Sequence, residues 1–190
     1  MLSNEGKEWG GSVKYGTIEF KYAEPIAQAL VNDAAFRKWV LLKTEFANSA
    51  EDARLQHEEM RGWRSGVATN WWRSHFTEKC RCQGCSGKET DLLAIFESRA
   101  GIRFALHFEV KHPGDKFKPD GVQSRGYPLR AQCWAANPPA NVLPHHQAST
   151  VLLFSEKRRA EFAAHLPHFK TLITFEEIEK AFPHMVVTPE

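Results

Sequence analysis

The sequence lacks the features that mark membrane, secreted and polyanion-coating proteins. In its 190 residues there is no run of about 18 apolar residues, so we expect no membrane-spanning segment and no membrane partner. Residues 1–5 do not have the basic and apolar pattern of a signal peptide, and we therefore expect a cytoplasmic protein. The net charge of +2 argues against a protein that binds polyanions over its whole surface, but it allows a local basic groove.

Cysteine is scarce, with four residues in the chain, but three of them lie close together at Cys80, Cys82 and Cys85. Thiolates at such spacing can bind a soft metal, and we expect a structural Zn²⁺. The alternative is a loop with three ordinary reduced thiols. The fourth zinc ligand stays open among Cys133, His75 and His112.

The composition is that of a globular protein with a hydrophobic core, with 42% hydrophobic and 25% charged residues. The chain has no internal repeat, and its length fits a single domain over residues 1–190. Periodicity and turn signals predict helices alternating with strands, and so an α/β (α+β) fold with a mixed sheet. The predicted helices cover 25–46, 50–64, 129–136 and 157–169, with a last helix between a Thr174–Glu177 capping box and Pro183. The predicted strands cover 15–22, 71–78, 89–98, 102–111, 151–154 and 172–175.

The two central strands are predicted to form a hairpin around the connector Arg99–Gly101. A three-residue hairpin loop favours glycine at its last, left-handed position, which Gly101 occupies. This loop places Ser98 opposite Ile102. Counting outward from that pair places Asp91 opposite Glu109.

The same register places Glu89 opposite Lys111 and brings Asp91, Glu109 and Lys111 to one face of the hairpin. The other face is almost wholly apolar and is expected to be the core side, which leaves the charged face toward solvent. Opposed residues have Cβ atoms roughly 4.5–5.5 Å apart, so the two carboxylates would repel each other. A divalent cation such as Mg²⁺ would offset that repulsion. The alternative is a surface hairpin whose Glu and Lys side chains are merely solvated.

An Asp on one strand followed by Glu-x-Lys on the next resembles the motif of the PD-(D/E)xK nuclease superfamily. The matching residues are Asp91, Glu109 and Lys111, with Val110 as the apolar residue between the last two. Thr90 stands where many members have proline. The hairpin context is the one that this motif requires.

The resemblance implies a restriction-endonuclease-like αβββαβ core over about residues 50–155. The elements predicted on either side of this core are an N-terminal helical extension over 1–49 and C-terminal strand and helix additions over 156–190. The implied activity is hydrolysis of DNA phosphodiester bonds, most simply by an endonuclease. RNA as a substrate and a homodimer as the assembly stay open.

The same resemblance implies that Asp91 and Glu109 hold Mg²⁺ or Mn²⁺. Lys111 would position the attacking water and stabilise the phosphate. The alternative from another class is a nucleic-acid- or protein-binding module with this fold, a structural zinc and no turnover.

The exonuclease and RecB-like branch of the superfamily has a Gln-x-x-x-Tyr motif after Glu-x-Lys, and Gln123 and Tyr127 fit its spacing. Gly126 and Pro128 disfavour a helix here, so Pro128 is expected in the first helical turn, with Gln123 and Tyr127 preceding the helix.

Many members also place a metal-binding glutamate on the helix before the sheet. Glu58, with Glu59 and His57 beside it, is the candidate in this chain, and the alternative is a solvated helix face. His107 shares the face of the two acids, where it would support them or be a satisfied core histidine.

The cysteine cluster generates a direct prediction. Freshly purified, reduced protein should contain about one zinc per chain, bound separately from any Mg²⁺ because thiolates prefer Zn²⁺. Elemental analysis measures the metal content. Absence of zinc would leave Cys80, Cys82 and Cys85 as ordinary loop thiols.

Overall fold

The structure of the protein is a computed structural model that describes residues 17–64, 70–73, 75–76 and 89–186. Within these ranges a five-stranded mixed sheet packs against helices, and a separate two-stranded sheet accompanies it. The predicted mixed α/β class is confirmed at this level.

The described chain begins with two helices, α1 (Thr17–Asn32) and α2 (Ala34–Leu42). Asp33 separates them and caps α2 by accepting a hydrogen bond from the Phe36 N–H at 2.9 Å. The predicted strand is wrong over the described residues 17–22: Ile18, Phe20 and Tyr22 alternate with polar residues, but the segment belongs to α1 and leads into its helical stripe of buried residues. The buried residues of that stripe are Ala23, Ile26, Ala27 and Leu30.

The predicted helix over 50–64 is correct only in its second half. The first half contains the short strand β1 (Arg54–Leu55), and the helix α3 (His57–Trp63) follows it. β1 pairs antiparallel with Glu97 and Phe96 of the central hairpin. This pairing outweighs local helix propensity, which is a weak determinant over so few residues.

Of the predicted strand over 71–78, the described residues 71–73 form a turn and a bend, and His75–Phe76 form the strand β2. It pairs antiparallel with β3 (Glu89–Thr90), which places Glu89 opposite Phe76. The expected pairing of Glu89 with Lys111 is therefore wrong, because the pairing of the central hairpin starts only at Leu92, after Glu89 in the chain.

The central hairpin consists of β4 (Leu92–Glu97) and β5 (Arg103–Val110). Its predicted register is confirmed, from Leu92 opposite Phe108 to Glu97 opposite Arg103. Gly101 has φ +76°, and its N–H donates to the Ser98 carbonyl at 2.9 Å. The three-residue turn with a left-handed glycine therefore sets the register of both strands.

The helix α4 (Val122–Ala136) begins earlier than predicted and includes Pro128. Gln123 and Tyr127 therefore lie on the helix, contrary to the expectation that they precede it. The proline removes one backbone hydrogen bond. Packing of the buried side chains of Tyr127, Arg130 and Trp134 offsets that loss, since most helix stability in proteins comes from tertiary contacts.

After α4 the chain forms β6 (Gln147–Phe154), α5 (Arg159–Phe162), β7 (Thr171–Thr174) and α6 (Phe175–Ala181). The predicted capping box is confirmed: Glu177 and Thr174 bond each other's backbone N–H groups. The long helix predicted over 157–169 is wrong, as α5 is flanked there by two short 3₁₀ turns. Among helices in the described ranges, none is both long and apolar enough to cross a lipid bilayer.

The large sheet has the strand order β1-β4-β5-β6-β7, with β6 parallel to both β5 and β7. Alternate residues of β6 enter two different apolar clusters, Leu153 in one and Leu152 in the other. On β5, His107 packs against Trp134 of α4 at 5.1 Å, so α4 covers the face that carries Glu109. The expectation that this face is open to solvent is wrong, because the crossover helix between parallel strands lies on it.

The hairpin turn generates a paired prediction. Gly101→Ala should destabilise the protein by about 1–2 kcal/mol, because alanine is strained at positive φ. Gly62 in α3 is the matched control, because an added Cβ meets no atom within 4 Å at either glycine. Gly62→Ala should be neutral or stabilise the helix by up to about 1 kcal/mol. Urea unfolding of the two variants measures the difference, and equal effects would contradict it.

Candidate active site

The candidate site lies where β5 ends, with the amino-terminal part of α4 over it. Glu109 is the last but one residue of β5, and Lys111 follows the strand. The Lys111 N–H donates to the Leu153 carbonyl of β6 at 2.8 Å, so the parallel strand fixes the backbone here. Both side chains are almost completely buried, with 1% of Glu109 and 4% of Lys111 exposed.

Asp91 lies at a bend directly before β4. Its Oδ2 accepts a hydrogen bond from the Val110 N–H at 2.8 Å. Because Val110 stands between Glu109 and Lys111, this bond brings the first acid to the Glu-x-Lys segment. The structure therefore brings together the three residues that the sequence singled out.

The Lys111 ammonium group is held by two carboxylates. Its Nζ lies 2.6 Å from Oε1 of Glu109 and 2.8 Å from Oδ2 of Asp115. It also lies 4.9 Å from the centre of the Phe117 ring, within the range of a cation–π contact. Lys111 was expected on the solvent side of the hairpin; it is buried because the loop that carries Asp115 and Phe117 folds over it.

These contacts keep Lys111 protonated. Burial alone would lower the pKa of Lys111, but the charges of Glu109 and Asp91 and the hydrogen bond to Asp115 outweigh it and raise the pKa above its ordinary value. A lysine in this state is a fixed positive charge and hydrogen-bond donor, and it is not a base near neutral pH.

Gln123 joins the site from α4. Its Nε2 donates to Glu109 Oε1 at 2.8 Å, and its Oε1 lies 3.4 Å from Lys111 Nζ. Tyr127, one turn later, donates from its hydroxyl to the Phe108 carbonyl at 3.3 Å. Burial, with the charges of Asp91 and Glu109, raises the Tyr127 pKa well above its usual value, so the phenol stays neutral. The Gln-x-x-x-Tyr spacing thus places both side chains against the β5 acid, as helical periodicity requires.

The two oxygens of Glu109 differ. Oε1 receives Lys111 and Gln123, whereas Oε2 is buried and has no hydrogen-bond partner. A buried carboxylate oxygen without a partner is costly, and a cation is the partner that suits it. Within the described ranges no group of three or more His, Cys, Asp or Glu side chains forms a ready-made metal site. Mg²⁺ needs only one or two carboxylates, with the rest supplied by water and substrate, so the donor set fits it.

Glu19 of α1 is a site residue that sequence reasoning missed. Burial raises the Glu19 pKa, and the nearby charges of Asp115 and Glu109 raise it further, whereas Lys111 opposes them. Glu19 therefore lies within electrostatic range of the site, on a helix where the sequence predicts a strand over 15–22.

Glu58 does not contact this site. Its carboxylate bonds Arg61 at 2.9 Å and lies 3.1 Å from His57, on the surface of α3. Glu59 pairs instead with Arg103 at 2.8 Å. These contacts match the alternative of a solvated helix face.

The cysteine prediction falls mainly outside the described residues. Cys80, Cys82 and Cys85 are not among them, and the zinc site stays a prediction. Cys133 is half-buried on α4 and packs against the larger apolar cluster.

A network of buried polar side chains lies beside Asp91, the first acid of the motif. Arg130 of α4 donates from Nε to Thr90 Oγ1 at 2.8 Å, and Thr90 Oγ1 lies 3.3 Å from His107 Nδ1. Thr90 directly precedes Asp91, and His107 is two residues before Glu109. The network therefore ties α4 to the backbone on which both acids lie. The position of His107 matches the supporting role considered for it.

Comparison of the chain with protein-family models, with curated proteins and with solved structures gives no match. The geometry of the site therefore carries the functional conclusion.

Glu19 generates a prediction about pH and metal. Its pKa is raised in the folded state, so its ionisation costs stability as the pH rises above its unfolded value of about 4.5. In metal-free buffer, Glu19→Gln should therefore raise the thermal unfolding midpoint at pH 7 and change it little at pH 4.

In the presence of metal, the same substitution should be unfavourable. Added Mn²⁺ should raise the unfolding midpoint of Glu19→Gln by less than that of the parent, because one negative charge at the site is gone. Glu58→Gln is the control and should respond to Mn²⁺ as the parent does. Identical pH and Mn²⁺ profiles of Glu19→Gln and the parent would exclude Glu19 from the site.

Proposed function

We propose that this protein is a divalent-metal-dependent nuclease that hydrolyses phosphodiester bonds in DNA, acting as an endonuclease. The observation that carries the proposal is the pairing at Glu109. One of its oxygens is held by Lys111 and Gln123, and the other is buried and accepts no hydrogen bond, while Asp91 is bonded to the N–H of the next residue, Val110. A cation-binding oxygen next to a fixed positive charge suits a phosphodiester, whose reaction needs both.

Asp91 and Glu109 are the residues that would hold Mg²⁺ or Mn²⁺, with the charge of Glu19 nearby. When bound, such a metal polarises a phosphate oxygen and lowers the pKa of a water molecule. The protein itself holds the metal-binding carboxylates in position. Gln123 and Lys111 orient the Glu109 carboxylate, and the Val110 N–H orients that of Asp91.

Lys111 would supply positive charge to the reacting phosphate. It is 2.6 Å from Glu109, so a group bound at that carboxylate lies within its reach. Its raised pKa means that it donates a hydrogen bond and does not remove a proton. Asp115 holds the ammonium group from its other side at 2.8 Å, which limits its rotation and so lowers the entropy cost of positioning.

The order of the elements supports the proposal. The αβββαβ order that the resemblance implies can be traced through α1, β1, β4, β5, α4 and β6 once the intervening α2, α3, β2 and β3 are set aside, and α1 lies before the core expected over 50–155. In the sheet these strands are neighbours in the order β1-β4-β5-β6, with β2 and β3 in a separate sheet. Both acids and the lysine lie at the two central strands, β4 and β5.

The proposal predicts that Lys111→Met abolishes DNA cleavage. Methionine keeps much of the side-chain length and removes the charge, so we expect at least about 100-fold less nicking of supercoiled plasmid with Mg²⁺ or Mn²⁺. Mn²⁺ binding, measured by calorimetry, should be retained or strengthened because the competing ammonium group is absent.

The control is Arg99→Gln, an exposed cation in the hairpin turn. It should cleave as the parent does. Since Lys111 is buried, circular dichroism must show that Lys111→Met is folded at the assay temperature. Metal-dependent cleavage at the parental rate by folded Lys111→Met would refute the role of Lys111. DNA binding without cleavage by the parent protein would favour the non-catalytic module.

A further inference from the structure

The loop between β5 and α4 is anchored beside the candidate site. The Phe117 ring in this loop stacks on His165 at 4.4 Å on one side and lies 4.9 Å from Lys111 Nζ. Arg158 holds the same loop through the carbonyls of Pro113 and Asp115, the latter at 2.9 Å. The residues next to Phe117 therefore have a fixed position relative to Lys111.

Three exposed cations lie around this anchor. Lys116 and Lys118 flank Phe117 in the sequence, and Arg125 lies on the first turns of α4. In the part of the chain that the structure describes, none of the three forms an ion pair with a carboxylate. The Arg125 guanidinium donates to the Asp120 carbonyl at 2.6 Å.

Two histidines continue the same surface. His165 lies 3.0 Å from Ser124 Oγ of α4, which places it beside Arg125. His168 lies at the end of the same 3₁₀ turn and is partly exposed. We call Lys116, Lys118, Arg125, His165 and His168 together the basic strip.

The acids near the basic strip have other partners. Asp115 pairs with Lys111 at 2.8 Å, and Glu161 pairs with Arg158 at 2.7 Å. Asp120 accepts the Val122 N–H at 2.9 Å at the start of α4. The neutral Val122 N–H does not cancel the charge of Asp120, but the three cations of the strip exceed that charge and leave the strip net positive.

The histidines report this positive potential. Burial lowers the His165 pKa, and the charges of His168, Arg125 and Lys111 lower it further. Near the site, burial also lowers the His112 pKa. Lys111 and Arg158 add to that decrease, whereas Asp115 opposes it. The charges of Arg125 and Lys111 therefore act on His165.

We propose that the basic strip binds the phosphodiester backbone of DNA on one side of the cleaved bond. The inference rests on the proposed function, because a bond hydrolysed at Glu109 and Lys111 must have a neighbouring backbone. Charge complementarity selects this occupant: the strip has side chains suited to phosphate contacts, and it continues directly from Lys111 through Phe117 and His165.

The test is DNA binding, measured without catalysis. Fluorescence anisotropy of a short fluorescein-labelled DNA duplex in EDTA would give the Kd over a range of salt concentrations. The strip variant is Lys118→Gln/Arg125→Gln. The control is Arg54→Gln/Arg99→Gln, which removes the same charge from exposed residues near the hairpin turn. These controls lie about one β5 length, roughly 24 Å, from the acids.

The strip variant should bind about tenfold more weakly at moderate salt. Its slope of log Kd against log salt should fall by nearly two, since each phosphate contact contributes about 0.9. The control should bind with the parental slope. Three results would each refute the proposal that the basic strip binds DNA: unchanged binding by the strip variant, equal weakening in both variants, or no DNA binding by the parent.

The outcome is separable from the nuclease proposal. Selective weakening in the strip variant would support the strip even if the parent never cleaves DNA, and the nuclease proposal alone would then fail. If the parent cleaves DNA and the strip variant binds DNA as the parent does, the nuclease proposal stands and the proposal that the basic strip binds DNA is refuted.

Discussion

The contact between the Lys111 ammonium group and the Glu109 carboxylate sets the conditions for everything around it. Both groups are buried, and removing two such charges from water costs several kcal/mol per ion unless each is paired and hydrogen-bonded. Asp115 and Gln123 complete the lysine's partners, while Gln123 and Lys111 satisfy one oxygen of Glu109. The loop after β5 and the start of α4 must therefore fold against this pair, because they supply those partners.

A region of negative charge and a region of positive charge lie next to each other at the site. Glu109 and Asp115 pair with buried Lys111, and Asp91 is bonded to Val110 beside them; burial and then the charges of Asp115 and Glu109 raise the Glu19 pKa. The basic strip lies directly beyond these groups. A divalent cation suits the first region and a phosphate backbone suits the second, so a metal-dependent reaction on a phosphodiester uses both. This agreement of charge with chemistry supports the proposed function where no similar protein guides it.

α4 links the two regions. One stripe of this helix, Gln123, Tyr127 and Arg130, contacts the strands that carry the acids, whereas Arg125 on another face belongs to the strip. Its alignment depends on buried contacts, since its sequence contains both Gly126 and Pro128. A helix held by tertiary packing can place a hydrogen-bonding side chain accurately where local propensity would not form it.

The sequence by itself determined the central hairpin and the three residues that it brings together. Glycine at the left-handed position of a three-residue turn allows one register, and that register places Asp91 beside the Glu109–Lys111 segment. The capping box of α6 was equally local, because its two hydrogen bonds span only Thr174–Glu177.

Tertiary structure decided which face is buried, which helix completes the site and how Lys111 is held. The coverage of the charged face follows from the parallel pairing of β5 with β6, which requires a crossover helix and leaves no mark within β5 itself. Glu19 and Asp115 reach Lys111 from segments whose local patterns say nothing of that contact. Asp115 is only four residues from Lys111, but their contact depends on how the loop folds back, and Glu19 lies on the distant helix α1, so local periodicity encodes neither.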